Sequence, residues 1–157
     1  MRDVVIIGGG LSGLSAAHEL EQHGANYTLI EVKRRVGGSI QTVTQAGFKL
    51  DAGAFALADV LERDWLASLG LGAALHELAH GVAFNQGTGT LINALSERIN
   101  GPRMMRMAVS SIGQIDELKL QGKLALCLEN GLLLDAKTVI VAVPARYAER
   151  IFYSLRP

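Results

Sequence analysis

The sequence predicts an α/β fold built on a central parallel sheet, and three observations near the N-terminus support that prediction. Residues 4–7 form a short, continuous apolar run rich in β-branched side chains, which is typical of a strand buried on both faces. Glycines dominate residues 8–13, and apolar residues then recur at helical spacing as far as Leu20. Residues 27–30 again have the composition of a buried strand. A strand, a glycine turn, a helix and a second strand within about thirty residues indicate a βαβ unit.

Length and composition indicate one soluble domain. The chain has 157 residues, of which 49% are hydrophobic and 19% charged, so it can bury a core and is not disordered. Fifteen basic residues balance fifteen acidic ones, which gives no electrostatic reason to expect nucleic acid or an anionic membrane as a partner. The single cysteine, Cys127, excludes a disulfide scaffold, and no apolar run is long enough to form a transmembrane segment. We expect a single domain over residues 1–157 and a cytoplasmic location.

The glycines after the first strand match GxGxxG, the fingerprint of dinucleotide-binding domains. The first glycine permits a tight turn, the second lets the backbone approach a pyrophosphate at the helix N-terminus, and the third lets helix and strand pack closely. Glu31 ends the second strand, where its carboxylate can accept hydrogen bonds from ribose hydroxyls and would repel a 2′-phosphate. The sequence therefore predicts a Rossmann-like domain. Its candidate cofactor-binding residues are Gly8, Gly9, Gly10, Leu11, Ser12, Gly13 and Glu31.

A second pair of glycines, Gly37 and Gly38, follows a basic cluster. This segment could place backbone against a phosphate or a ribitol, with Arg35 or Lys33 nearby. A solvated loop with a glycine turn explains the same residues. On this segment alone, both interpretations stay open.

Three segments together resemble the FAD-dependent amine oxidase and protoporphyrinogen oxidase superfamily: IIGGGLSGLSAA, LIEVKRRVGGSIQT and GFKLDAGAF. GGSIQT followed by GFKLDAG is closer to the protoporphyrinogen oxidase-like side, and Ser39 stands where amine oxidases often carry arginine. The resemblance implies that Glu31 binds the AMP ribose of FAD, that the Arg-x-Gly-Gly stretch follows the phosphates and ribitol, and that the DxG segment passes close to the isoalloxazine. FAD is thus the expected cofactor. The resemblance adds Val32, Arg35, Gly38, Ser39, Gly53, Ala54, Phe55 and Ala56 to the candidate cofactor-binding residues.

The resemblance resumes over residues 87–157, beginning with GTGTLINALSERI. Apolar residues at helical spacing in this segment predict a helix that Thr88 or Thr90 can cap. Residues 104–109 are predicted to form a strand. The family match implies that the backbone of Val109 contacts the adenine of FAD, whereas composition alone makes Val109 an ordinary core residue.

The last part of the chain predicts an antiparallel meander, a buried strand and a short helix. A two-residue hairpin turn, Asn130 and Gly131, separates the second and third strands of the meander. We expect the helices to cover one face of the parallel sheet and the meander to cover the other. The predicted bounds are residues 112–118, 123–129 and 132–135 for the meander, 138–143 for the buried strand and 145–153 for the helix after Pro144.

The resemblance also implies a longer protein, because family members insert a substrate domain into the flavin domain and complete the FAD site with a later glycine-rich segment. Here a helix predicted over residues 58–69 leads almost directly to GVAFNQGTGTL. We therefore expect a minimal or truncated flavin domain, with the seam of the missing insertion near residues 80–81. The expected reaction is hydride transfer to FAD from a small-molecule substrate, an amine or a porphyrinogen-like compound. No catalytic residue is identified, and we expect poor oxidase activity and self-association through exposed apolar surface.

Two other functions compete with this one. The first is a non-catalytic module that binds FAD or NAD. The second is a zinc hydrolase, because His76, Glu77 and His80 match HExxH, whose two histidines share one face of a helix while the glutamate activates a metal-bound water. No third ligand stands at a supporting spacing, and Gly81 would end the helix at once. We therefore expect no metal here, only a solvated helix end.

Overall fold

The computed structural model describes residues 2–54, 56–57, 63–114 and 123–152 of the chain. Phe55, a candidate cofactor-binding residue, lies outside the described residues. The described strands are β1 Arg2–Ile7, β2 Tyr27–Glu31, β3 Gln41–Gln45, β4 Phe48–Ala52, β5 Leu75–Leu78, β6 Gly81–Phe84, β7 Arg103–Met105, β8 Val109–Gln114, β9 Leu124–Leu128 and β10 Leu133–Val141. The α-helices are α1 Leu11–Gln22, α2 Arg63–Ser68, α3 Gly89–Arg98 and α4 Ala145–Phe152, and Gly72–Ala74 forms one 3-10 turn.

The predicted α/β, Rossmann-like fold is confirmed by a mixed six-stranded sheet. Its strand order is β7-β2-β1-β10-β9-β8, and the first four strands are parallel. Ile6 on β1 aligns with Leu29 on β2 and with Ile140 on β10. The apolar run of β1 is continuous because strands flank it on both sides and apolar clusters cover both of its faces.

Alternation along β1 divides the core into two layers. Ile6 and Leu14 of α1 belong to one buried cluster, which also includes the apolar face of α3. Val5 and Ile7 point to the opposite face of the sheet, where they join Ile112 of the meander in a second cluster. Helices α1 and α3 and the meander therefore cover opposite faces, as predicted, whereas Ile151 of α4 packs in the second cluster beside the meander.

The meander is also continuous with the parallel sheet through β10. The sequence predicts separate strands over residues 132–135 and 138–143, and this division is wrong. One strand spans Leu133–Val141, pairing first with β9 and then with β1. The β9–β10 turn is one residue longer than predicted, because residues 129–131 form its loop and Gly131 adopts a positive φ of 81°.

Two further predicted elements need correction. The strand expected over residues 104–109 is two strands, because β7 ends at Met105 and Arg106 has a φ of 57°. The helix expected over residues 58–69 is described only as α2 over Arg63–Ser68, and residues 58–62 lie outside the described part. None of the described helices is long and apolar enough to cross a membrane.

Candidate functional site

The carboxyl ends of β1, β2 and β7 meet at one edge of the sheet because these strands are parallel. The chain leaving β1 is joined to β2 by a hydrogen bond from Gly8 N–H to the Ile30 carbonyl, at 2.8 Å. The chain leaving β7 turns back onto β2, where Met107 N–H donates to the Glu31 carbonyl at 3.1 Å. In open α/β sheets, ligands bind at this edge beside the strand at which the connections change direction. Here that strand is β1, between β2 and β10.

Gly8 and Gly13 are required by the packing of the chain itself. Gly8 has a φ of 105°, and a Cβ there would lie 2.5 Å from the Ala142 carbonyl oxygen. A Cβ on Gly13 would lie 1.8 Å from the carbonyl oxygen of Gly8, which no relaxation of a side chain could relieve. The tight turn and the close approach of helix to strand that the sequence predicts are both present.

Gly10 is different, because nothing in the packing of the chain requires a glycine there. Its φ is −74°, and the nearest atom to an added Cβ is the Cα of Gly38, at 3.8 Å. Gly10 is also the N-cap residue of α1, and no side chain caps this helix terminus. The N–H groups of the first turn and the positive end of the helix dipole are therefore directed at the site edge.

Glu31 is buried at the end of β2, with 6% of its surface exposed. Its Oε2 accepts a hydrogen bond of 2.6 Å from Gly9 N–H, and its Oε1 accepts one of 2.8 Å from Lys33 N–H. The carboxylate thus fixes the glycine turn to β2. A carboxylate offers roughly four lone-pair positions, so both oxygens keep acceptor capacity after these two bonds.

The second glycine segment folds against the first. Gly37 N–H donates to the Gly9 carbonyl at 2.7 Å, and a Cβ on Gly38 would lie 3.1 Å from the Cα of Gly10. The half-buried Arg35 guanidinium donates within its own loop, to the carbonyl oxygens of Val36, Gly38 and Ile40 at 3.0 to 3.2 Å. Arg35 therefore shapes this loop. The loop does make a glycine turn, with Ile40 N–H donating to the Gly37 carbonyl at 2.9 Å, but it is also packed against the first glycine segment.

The DxG segment reaches the same place from β4. Gly53 has a φ of 104°, and a Cβ there would lie 2.6 Å from the carbonyl oxygen of Ser39. Ser39, Gly53 and Ala54 are exposed and Ala56 is half-buried. The structure thus brings Gly10, Gly38 and Gly53 together as one strip of backbone, which we call the glycine strip.

Asp51 caps α3, a role that sequence reasoning missed. Thr88 N–H donates to both carboxylate oxygens at 3.1 and 3.0 Å, the Thr88 hydroxyl donates at 3.0 Å, and the Thr42 hydroxyl also donates to Asp51. Burial raises the pKa of Asp51, but these hydrogen bonds outweigh it, so the pKa lies below its ordinary value. Thr88 occupies the predicted cap position without capping α3 through its own hydroxyl. In the sequence, the aspartate of the DxG segment was the signal that could have indicated this capping role.

Two candidate valines differ in exposure. Val32 follows Glu31 and is 60% exposed, which is unusual for a side chain of its type. Val109 is 8% exposed, and its side chain belongs to the core beneath the meander. Its backbone follows the turn that Met107 anchors to β2, so the chain brings Val109 towards the same edge.

The HExxH segment does not form a helix. His76 lies on β5, which pairs with β6, and the turn between the two strands contains His80. The His76 Nδ1 contacts Asn85 Oδ1 at 2.9 Å, and Glu77 forms an ion pair with Arg63 at 2.9 Å. A hairpin does not give the shared helical face that HExxH requires, so the premise of the zinc hydrolase is wrong. Within the described ranges, no three His, Cys, Asp or Glu side chains are grouped to hold a metal.

The chain is similar to one protein family and, over shorter segments, to individual proteins. Residues 6–70 match the family of NAD(P)-binding Rossmann-like domains. A stretch of 51 residues, 32% of this chain, is 45% identical to mitochondrial protoporphyrinogen oxidase of Nicotiana tabacum. Another of 43 residues, 27% of this chain, is 56% identical to flavin-containing amine oxidase A of Bos taurus. These matches span only 10% and 8% of the two relatives.

A solved structure shares the fold. It is that of a candidate protoporphyrinogen oxidase from Exiguobacterium sp. 255-15, with a TM-score of 0.83 and 14% identity, and the match covers 96% of this chain and 61% of that one. The resemblance predicted from the sequence is therefore confirmed: the chain has a Rossmann-like fold, and part of it is similar to the protoporphyrinogen oxidases and flavin-containing amine oxidases.

Proposed function

We propose that this chain binds FAD and serves as the cofactor-binding domain of a flavoprotein oxidoreductase. The nucleotide would lie along the carboxyl edge of the sheet, with its ribose at Glu31 and its pyrophosphate at the N-terminus of α1. The glycine strip would carry the part of the cofactor beyond the adenosine half.

The contrast between two helix termini supports this proposal best. A carboxylate, Asp51, occupies the N-terminus of α3, and the Thr42 hydroxyl accepts from Gly89 N–H there at 2.8 Å. The N-terminus of α1 has no such side chain, and Gly10 leaves the space in front of it open. An anion is favoured at a helix N-terminus. The residues around α1 therefore fit a pyrophosphate, whereas α3 already holds its anion.

The glycine strip favours FAD over a nicotinamide dinucleotide. NAD and FAD share the adenosine and pyrophosphate that the first glycine turn would hold. Gly38 and Gly53 continue the strip beyond Gly10, which supports a ligand that extends past the pyrophosphate. When bound, FAD supplies the acceptor for a hydride, and the protein supplies its binding and orientation.

The arrangement gives each part of the chain a defined task. Glu31 would hold the ribose while keeping the turn at Gly9 in place, and Arg35 would hold the loop of Gly38 through its three carbonyl contacts. The proposed substrate is an amine or a porphyrinogen-like molecule, and only the similarity to the relatives supports this class. The segments that match this chain form only about a tenth of those relatives.

The test is competitive reconstitution. Purified protein is incubated with FAD, desalted, and examined for retained flavin absorbance, and separate titrations with NADH and NADPH use the same preparation. We expect FAD to be retained and to bind more tightly than either nicotinamide nucleotide. Equal or tighter binding of NADH would refute the flavin preference.

A second candidate function is dinucleotide binding without redox turnover. The family match supports it, because its description names NAD(P). Photoreduction of the reconstituted protein followed by mixing with oxygen or a quinone separates the two. A flavin that is reduced and reoxidised in place supports the oxidoreductase, and a chain that holds only nicotinamide nucleotides supports the module.

Domain organisation and assembly are further parts of the proposal. We propose that residues 1–157 form a single domain and that the insertion seam lies near residues 80–81. The β5–β6 turn supports the seam, because exposed hairpin tips tolerate insertions. Self-association is supported by the exposed apolar side chains Phe48 and Leu50 on β4. Sedimentation of Phe48→Ser beside the unaltered chain checks it.

A further inference from the structure

A groove of about 730 Å³ lies beside the proposed dinucleotide site and shares Arg35 with it. The hairpin β3–β4 forms one wall through Thr44 and Lys49, α3 contributes Asn93 and Ser96, and Arg103 of β7 closes it. The glycine strip, the first glycine turn and Glu31 do not line it. We call this feature the outer groove.

The outer groove is strongly cationic although the chain as a whole is neutral. Fifteen basic and fifteen acidic residues give no net charge, yet Arg34, Arg35, Lys49 and Arg103 line the groove, and among the described residues no aspartate or glutamate lines it. Within the described residues, none of these four cations takes part in an ion pair. Asp51, which lies behind Thr42, is engaged by Thr42 and Thr88. Among the described residues, the four cations therefore outnumber the one carboxylate, Asp51, that lies beside the groove.

Two of the four cations are held in place by neutral acceptors. Arg103 donates to the Ser96 hydroxyl at 2.9 Å and to the carbonyl oxygens of Ser96 and Ile99 at 2.6 Å. Arg35 is held by the three carbonyls of its own loop. These bonds occupy three of the five N–H donors of each guanidinium. Both side chains are thus oriented without being neutralised, which lowers the entropic cost of binding an anion.

The other two cations are exposed to solvent. Arg34 is exposed, and Lys49 is exposed and contacts only the neutral amide of Gln86. Both can turn towards a ligand. The hydroxyl and amide groups of Thr44, Ser96 and Asn93 add neutral donors to the same walls.

We propose that the outer groove binds a small phosphorylated molecule of nucleotide size. Guanidinium groups recognise phosphate through pairs of N–H donors, and an excess of four cations over one neighbouring carboxylate matches more than one phosphate charge. The apolar side chains of Ile92 and Met105 line the same groove and suit an uncharged part of the ligand. Its volume lies within the range of small-molecule sites, roughly 300–1,000 Å³.

Calorimetric titration with tripolyphosphate and with ATP, both without magnesium, tests the proposal. The double variant Arg34→Glu with Lys49→Glu is expected to bind both ligands roughly tenfold or more weakly, because it loses charge-assisted contacts. The matched control is Arg63→Glu with Lys137→Glu, which makes the same charge change at exposed residues outside the groove and is expected to leave affinity unchanged.

A second variant separates this groove from the dinucleotide site. Gly10→Val should block the pyrophosphate position while leaving tripolyphosphate affinity intact. Loss of tripolyphosphate binding in Gly10→Val would assign the ligand to the dinucleotide site and overturn the proposal. An equal loss of ligand affinity in the groove variant and in its control would also overturn the proposal, because the loss would then follow from the change in net charge alone. Failure of FAD binding alone would affect only the proposed function.

Discussion

At the scale of single residues, the glycines of the first turn occupy their positions for different physical reasons. Gly13 is required because its Cα faces the carbonyl of Gly8, whereas the space beside Gly10 is open. Glu31 also has two separable tasks, since it holds the backbone at Gly9 and retains acceptor capacity for a ligand. Substitutions can therefore separate folding from binding.

Gly13→Ala is expected to affect mainly stability, and Gly10→Val is expected to affect mainly FAD binding. Gly13→Ala forces a Cβ against backbone and should lower the free energy of unfolding by about 1–3 kcal/mol or more. Gly10→Val should fold with little loss of stability and fail to retain FAD. Urea unfolding and FAD titration of both variants check this. A Gly10→Val protein that binds FAD normally would contradict the proposed position of the pyrophosphate.

Glu31→Ala is expected to weaken FAD binding roughly tenfold or more, since a hydrogen bond to a charged group contributes about 1.5–3 kcal/mol. The variant also leaves the N–H groups of Gly9 and Lys33 without their acceptor, so its stability should fall as well. Titration at a temperature where both proteins are folded separates the two effects. Glu129→Ala, in an exposed turn, is the control and should change neither quantity.

At the scale of elements, the contacts of Asp51 join three of them. They connect β3 and β4 to the N-terminus of α3, although Asp51 and Thr88 are 37 positions apart in the sequence. This connection also places Gly53, two residues later, against the loop of Ser39. The cap therefore contributes to the shape of the glycine strip.

Asp51→Asn is expected to lower the free energy of unfolding at neutral pH by about 0.5–2 kcal/mol, as loss of a cap does. Because the pKa of Asp51 is lowered in the folded chain, its stabilising effect is complete above the unfolded pKa. That contribution disappears as the pH falls through the folded pKa. The free energy of unfolding, measured by urea denaturation from neutral pH to about pH 3, should therefore decline less steeply in Asp51→Asn than in the unaltered chain. Asp64→Asn, exposed on α2, should follow the unaltered chain; identical acid profiles for Asp51→Asn would contradict the cap.

At the scale of the whole molecule, the far end of the glycine strip is open to water. Ser39, Gly53 and Ala54 are all exposed. A flavin ring extending along them would therefore have one side uncovered. Orientation of a substrate against a cofactor can contribute roughly 7–11 kcal/mol to lowering a barrier, and an open surface does not provide it.

We therefore expect the 157-residue chain, loaded with FAD, to be a poor oxidase. The measurement follows hydrogen peroxide release and anaerobic flavin bleaching with a panel of amines and with protoporphyrinogen. Free FAD at the same concentration is the control. Turnover on the order of 1–10 per second, that of an ordinary enzyme, would show that the chain contains a complete active site.

The sequence by itself determined the βαβ unit at the N-terminus and the identity of the glycine turn. Strand β1, helix α1 and strand β2 are encoded by local periodicity, and Gly8, Gly13 and Glu31 act within or next to those elements. Neighbouring residues contain the information for such elements. The sequence also predicted correctly that α1 and α3 lie on the face opposite the meander, but it did not place α4, whose Ile151 packs beside the meander.

Only the tertiary structure decided how distant segments meet. Strand β5 replaces the helix that HExxH suggested because β6 pairs with it, and Asp51 caps α3 because two hairpin strands bring it there. The approach of Gly38 to Gly10 likewise depends on a hydrogen bond between Gly37 and Gly9. Local patterns carry no information about such partners, since pairing across the chain is set by packing of the whole fold. The fingerprint was therefore readable from the sequence, and the shape of the site was not.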